Sequence, residues 1–98
     1  MAASEFSRYE SVPVVKLDAR VRRYRGNIMV SGAQSEDVLE LSEAAERIWL
    51  WIDGGRSIRE IGRMLADEYE VAEEEACADT AELVEEFVEA GVVDLHTP

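Results

Sequence analysis

The sequence predicts a small α+β domain in which short strands come first and three helices follow. Two patterns predict it. Between residues 12 and 41 the β-prone residues fall in short runs, broken by Pro13, Gly26-Asn27, Ser31-Gly32 and Gln34-Ser35. From residue 42 onward, apolar residues recur at helical spacing, with serines at two helix starts and glycines beyond two helix ends. The chain has 98 residues, 47% of them hydrophobic and 33% charged, which suits one domain around one modest core.

Residues 1–11 are small, polar and without periodicity, and are expected to be flexible. The folded domain is expected over residues 12–95, with residues 96–98 frayed. Val12 and Val14 to Leu17 form a first extended segment, which Pro13 confines to an edge or a loop. Val21 to Tyr24 and Ile28 to Val30 are the next two strands, with a tight reversal expected at Gly26-Asn27. Asp37 to Leu41 is a further strand. None of these pieces is stable without a helix packed across one face.

Ser42 caps the first helix, with Glu43 and Glu46 near the positive end of its dipole. Ala44, Ala45, Ile48, Trp49 and Ile52 make its apolar face, and Asp53-Gly54-Gly55 ends it. Trp51 falls at the margin of that face and Leu50 points away from it. Ser57 and Glu60 have capping-box spacing, ahead of a second helix whose buried face is Ile58, Ile61, Leu65 and Tyr69. Gly62 inside that helix costs about 1 kcal/mol relative to alanine, which a close helix–helix approach would explain. The third helix runs from Glu73 to Ala90, closed by Gly91. It carries two adjacent apolar stripes, Ala76, Thr80, Leu83, Phe87, Ala90 and Cys77, Ala81, Val84, Val88.

Charge and inventory exclude several functions. A net charge of −12 is opposite to the basic footprint of a nucleic-acid binder and disfavours anionic membranes. No apolar run approaches the roughly 18 residues of a membrane span, and residues 1–8 lack the apolar core of a signal peptide, so a cytoplasmic location is expected. Cys77 is the one cysteine and reads as a small buried hydrophobe. The one histidine, His96, sits two residues from the end of the sequence, where nothing orients a base. No catalytic set, metal site or cofactor is expected, and Glu73, Glu74 and Glu75 read as a solvated helix start.

Two features ask for more than a structural role. The third helix has a wider apolar face than one contact needs, with small residues that would leave a shallow groove. The strand Asp37 to Leu41 has no proline or lysine to block pairing at its edge. A groove beside an open strand suits an extended peptide that binds by adding a strand. The alternative is that a neighbouring strand already pairs there.

Leu41-Ser42, Ala45, Ile48-Trp49 and Asp53-Gly54 resemble the Leu-Asn-x-x-Ala-x-x-Ile-Trp-x-x-Leu-Asp-Gly pattern of PqqD-like domains, with Ser42 in place of asparagine. Ser57-Ile58, Ile61 and Leu65 are similar to the family's second helix. Glu75-Ala76, Ala78-Asp79, Leu83-Val84, Phe87 and Ala90-Gly91-Val92-Val93 are similar to its third helix and closing segment. Over residues 18–95 the resemblance implies a winged-helix-like unit, a three-stranded antiparallel sheet followed by three helices. It implies a non-catalytic recognition element that binds the leader of a ribosomally made precursor peptide and presents it to a leader peptidase or other maturation enzyme. By position it implies Val38, Leu39 and Glu40 on the strand, and Asp79, Thr80, Leu83, Val84, Glu86 and Phe87 on the helix. Lasso-peptide biosynthesis is the context favoured, with a peptide chaperone of pyrroloquinoline quinone synthesis as the alternative. A winged-helix transcription regulator and an acidic adaptor binding through Leu50 and Trp51 are the rivals.

Overall fold

Arg25 and Gly26 both take positive φ, 53° and 86°, the combination a two-residue reversal between right-twisted strands requires. In the computed structural model, which describes residues 8–97, they join β2 (Arg20–Tyr24) to β3 (Asn27–Ser31). The reversal is therefore centred one residue earlier than the Gly26-Asn27 of the sequence reading. Burial of alternate residues sets this register, because Ile28 and Val30 must both face the core. Asn27 is left opposite Tyr24, and its side-chain amide donates to the Glu40 carboxylate at 2.6 Å.

β4 (Leu39–Glu40) pairs antiparallel with β3, giving a three-stranded sheet in the order β2-β3-β4. Three helices follow, as the sequence predicts: α1 (Glu43–Trp51), α2 (Ile58–Tyr69) and α3 (Glu73–Glu89). The Ser42 hydroxyl accepts the Ala45 N–H at 3.2 Å, and both halves of the Ser57–Glu60 capping box form. After α1, Asp53 turns the chain by accepting the N–H groups of Gly55 and Arg56, each at 2.9 Å. Those two bonds, the Gly55 bond first, hold its carboxyl below the usual carboxylate range. α2 ends without a glycine, at Glu70 in the left-handed region (φ 53°). α3 ends in a Schellman motif: Gly91 (φ 78°) donates to the Val88 carbonyl and Val92 to that of Phe87, each at 3.0 Å.

The core joins Ile28 and Val30 of the sheet to Leu41, Ile48, Trp49, Ile58, Ile61, Val84, Phe87 and Val92. Trp49 meets Phe87 edge to face, with ring centroids 5.2 Å apart. Gly62 is where α2 and α3 touch. A Cβ there would lie 2.5 Å from the Cys77 sulfur and 2.8 Å from its Cα, closer than real contacts allow. Gly62→Ala is therefore expected to lose about 1–2 kcal/mol, overpacking outweighing the helix-propensity gain. Urea denaturation checks it, and a neutral result would mean the two helices can ease apart at no cost.

A second, two-stranded ribbon joins the ends of the domain. β1 (Val12–Val15) pairs antiparallel with β5 (Val93–His96), Val12 opposite His96 and Val15 opposite Val93. His96 thus lies in a strand where the sequence suggested fraying, and Pro98 is outside the described residues. Residues 8–10 form a helical turn, and Ser11 is buried, its carbonyl accepting the Ile58 N–H at 2.9 Å. Arg8 pairs with Glu85 and Glu10 with Arg59, both at 2.8 Å. Of the segment expected to be flexible, residues 8–11 are thus in place against the helices. Residues 1–7 lie outside the described residues.

Candidate functional site

The edge of the sheet is the first component. The Leu41 N–H donates to the Ile28 carbonyl at 2.9 Å, and Leu39 lies opposite Val30. Antiparallel pairs alternate, so Leu39 and Leu41 turn their backbone groups toward β3, while Val38 and Glu40 turn theirs away. Among the described residues no strand pairs with that outer side. The edge is a short row of backbone donors and acceptors available to an added strand.

The second component is a flank of α3. Ala76, Cys77, Thr80, Ala81, Val84 and Phe87 are buried and form the inner face. On one side of that face Glu85 is tied to Arg8. On the other, 100° per residue groups Asp79, Leu83, Glu86 and Ala90 on one flank. Leu83 there is half-buried, and both Leu83 and Leu39 pack on the common core.

A backbone contact ties the two components together. A Cβ on Gly32, just after β3, would lie 2.5 Å from the Ala90 carbonyl oxygen. The C-terminal end of α3 is thereby held against the loop that leads to β4. Ala90 of the helix flank therefore lies at the start of the connection that runs on to β4. A cleft of about 310 Å³ marks it, lined by Lys16, Asp18, Gly32 to Ser35 and Glu89 to Gly91.

The nine residues expected at the site separate into two groups. Val38 (54% exposed), Leu39, Glu40, Asp79, Leu83 and Glu86 line the edge and the flank, with Asp79 and Glu86 exposed. Thr80, Val84 and Phe87 are 0% exposed. They correct the sequence expectation: their side chains are buried and offer no surface to a peptide. The Thr80 hydroxyl donates to the Ala76 carbonyl at 2.8 Å, and Phe87 is spent on Trp49. Ala90 is the lip residue that the reading placed only within a core stripe. Its helical phase, shared with Leu83 and Glu86, was the available signal.

Other chemistry is sparse. Burial pushes the Cys77 thiol up, with the Glu73 carboxylate adding to it, so the thiolate is disfavoured. Among the described residues no three His, Cys, Asp or Glu side chains converge to hold a metal ion. Among the described residues no helix is long and apolar enough to cross a membrane.

A protein-family model described as coenzyme PQQ synthesis protein D (PqqD) matches residues 28–93. No curated protein sequence matches significantly. Among solved structures, a lasso peptide synthetase B1 complexed with the leader peptide superposes with a TM-score of 0.72 at 23% identity, covering 84% of this chain and 96% of that one. TbiB1 in complex with the TbiA(beta) leader peptide gives 0.71 at 15% identity, with 83% and 94% covered. The PqqD truncation of Methylobacterium extorquens PqqCD, a stand-alone RiPP recognition element, gives 0.68 at 19% identity, with 85% and 88% covered. At these identities the likeness is one of fold.

Proposed function

The chain belongs to the PqqD family, and from that premise we propose that it binds the leader segment of a ribosomally made precursor peptide. The leader adds as a strand to the open edge of β4 and lies along the Asp79–Leu83–Glu86 flank of α3. The protein leaves the peptide chemically unchanged and presents it to a leader peptidase or other maturation enzyme. The observation that carries this reading is the outward-facing backbone of Val38 and Glu40, on a strand whose Leu39 packs on the same core as half-buried Leu83. Lasso-peptide maturation is the context favoured, since two structures of this fold are B1 proteins complexed with leader peptides. A role as peptide chaperone in pyrroloquinoline quinone synthesis is the second reading, supported by the family description.

A transcription regulator of winged-helix type fits less well. α3 carries eight acidic residues and no basic one; beyond Glu73 and Glu74 they are Glu75, Asp79, Glu82, Glu85, Glu86 and Glu89. A phosphate backbone would be repelled from it.

Fluorescence polarisation with a labelled cognate leader tests the proposal. Saturable binding is expected between about 0.1 and 1 µM, and none below about 100 µM would sink the reading. The acids of the flank supply a finer test. Replacing Asp79 and Glu86 with Asn and Gln should leave the fold intact, slow association with a basic leader and flatten its salt dependence. Stopped-flow mixing at two salt concentrations measures it. Wild-type rates and salt slope would reduce these acids to solubility residues.

A further inference from the structure

The face of the sheet turned away from the helices carries a feature that leader binding does not use. The register places Arg20, Arg22 and Tyr24 of β2 across from Ser31, Met29 and Asn27 of β3, and pleating puts all six side chains on one face. The core lies on the opposite face, with Ile28 and Val30. Every residue of β2 is exposed, and Val38 joins the outer face from the segment before β4. Two shallow clefts, of about 330 and 460 Å³, meet there and share Arg22, Met29 and Val38 as lining.

The charge on this hairpin runs against the rest of the molecule. Arg20, Arg22, Arg23 and Arg25 are four of the ten basic residues, on a chain of net charge −12. Arg23 is partly satisfied by Glu46 at 3.6 Å, and Arg25 rests on the Tyr24 ring. Arg20 donates to the Ala33 carbonyl at 3.4 Å, and neither it nor Arg22 takes part in a described ion pair. Glu36 lies at the rim of one cleft, and Glu40 is engaged by Asn27. Two exposed guanidinium groups over Met29, Val38 and Tyr24 make a basic surface with an apolar floor. Guanidinium forks suit carboxylates, and the floor suits an apolar side chain beside them.

We propose that this outer sheet face is a second docking surface, which receives an acidic, apolar-studded segment of the maturation enzyme while the leader occupies the β4 edge. The proposal rests on the leader-binding reading for its biological setting. Val38 links the two surfaces, with its backbone on the peptide edge and its side chain on the outer face. A strand added to β4 extends the same face and brings the held peptide beside whatever docks there.

The test uses a short synthetic peptide of Asp and Glu with interspersed Phe, its Lys-substituted counterpart, and isotope-labelled full-length protein. The acidic peptide is expected to shift the amide signals of Arg20, Arg22, Tyr24, Met29 and Val38, with or without bound leader, and the Lys counterpart to leave them unmoved. Arg20→Ser with Arg22→Ser should weaken the acidic peptide by about tenfold or more, as loss of complementary charge predicts. Leader affinity in that variant should stay unchanged. Absence of shifts on this face up to about 1 mM peptide, the weak limit of specific binding, would overturn the proposal. So would shifts at Arg47, Arg56 and Arg63 alone. A short DNA duplex giving the same shifts at equal salt would assign the face to nucleic acid instead. Failure of the unaltered protein to bind leader would sink the leader reading while leaving the acidic-peptide result to stand or fall separately.

Discussion

Phe87→Ala is expected to cost about 3–5 kcal/mol of stability, the range for removing a large buried aromatic side chain. Phe87 is 0% exposed and lies edge-on to Trp49, so it joins α3 to α1 at the centre of the core. Small domains hold only about 5–15 kcal/mol in all, so this one change should bring the protein near its unfolding threshold. Urea denaturation followed by circular dichroism measures the shift in midpoint. Val88→Ala, one position along the same helix and 38% exposed, is the control and should stay within about 1 kcal/mol. A loss at Phe87 no larger than at Val88 would mean that α3 does not dock on the face described.

The second large effect concerns the strand edge. Glu40→Pro should abolish leader binding, weakening it by about a hundredfold or more, roughly 2.7 kcal/mol. The Glu40 N–H faces away from β3, so proline there removes no bond of the existing sheet. It does remove a donor from the open edge and places a ring where the added strand must approach. Glu40→Ala keeps the N–H and loses only the exposed side-chain bond from Asn27, so it should bind nearly as the parent does. The two variants together separate backbone pairing from side-chain recognition. Equal binding by both would exclude strand addition at β4. Equal loss in both would move the energy to the Glu40 carboxylate.

The helices were legible because their signals are local. Ser42, the Ser57–Glu60 box and Gly91 each act within one turn of chain, and each forms the bond its spacing predicts. Gly62 is legible as an anomaly, and its cause is the close approach of Cys77, sulfur and backbone together. The hairpin was seen but misplaced by one residue. Gly26 is the obvious reversal residue, and nothing nearby says that Arg25, not Asn27, is its companion at positive φ. The β1–β5 ribbon was out of reach, since it pairs segments at opposite ends of the domain with no local mark of partnership.

The site was half legible for a geometric reason. Helical phase gave two flanks to α3 without saying which one another part of the chain covers. Arg8 covers one of them by engaging Glu85, from a segment whose composition predicts flexibility. The family resemblance implies Thr80, Val84 and Phe87 for the peptide by position, yet all three are buried. Depth, unlike phase, depends on how closely α2 and α1 approach, and no residue of α3 records it.

The β1–β5 ribbon has a consequence for the order of assembly. Val15 cannot meet Val93 until almost the whole domain has been synthesised, and closing so long a loop is costly in entropy before any contact repays it. The β2–β3 hairpin and the α2–α3 pair have no such wait, because their partners are near neighbours in sequence. The ribbon therefore closes last and, by the same token, is placed to open first. Opening it would part β1 from β5 while leaving Arg8 on Glu85, Ser11 on Ile58, and β4 with its edge paired to β3. Amides of β1 would then exchange with solvent through a fluctuation smaller than global unfolding, and the strand that receives a guest would stay in register throughout.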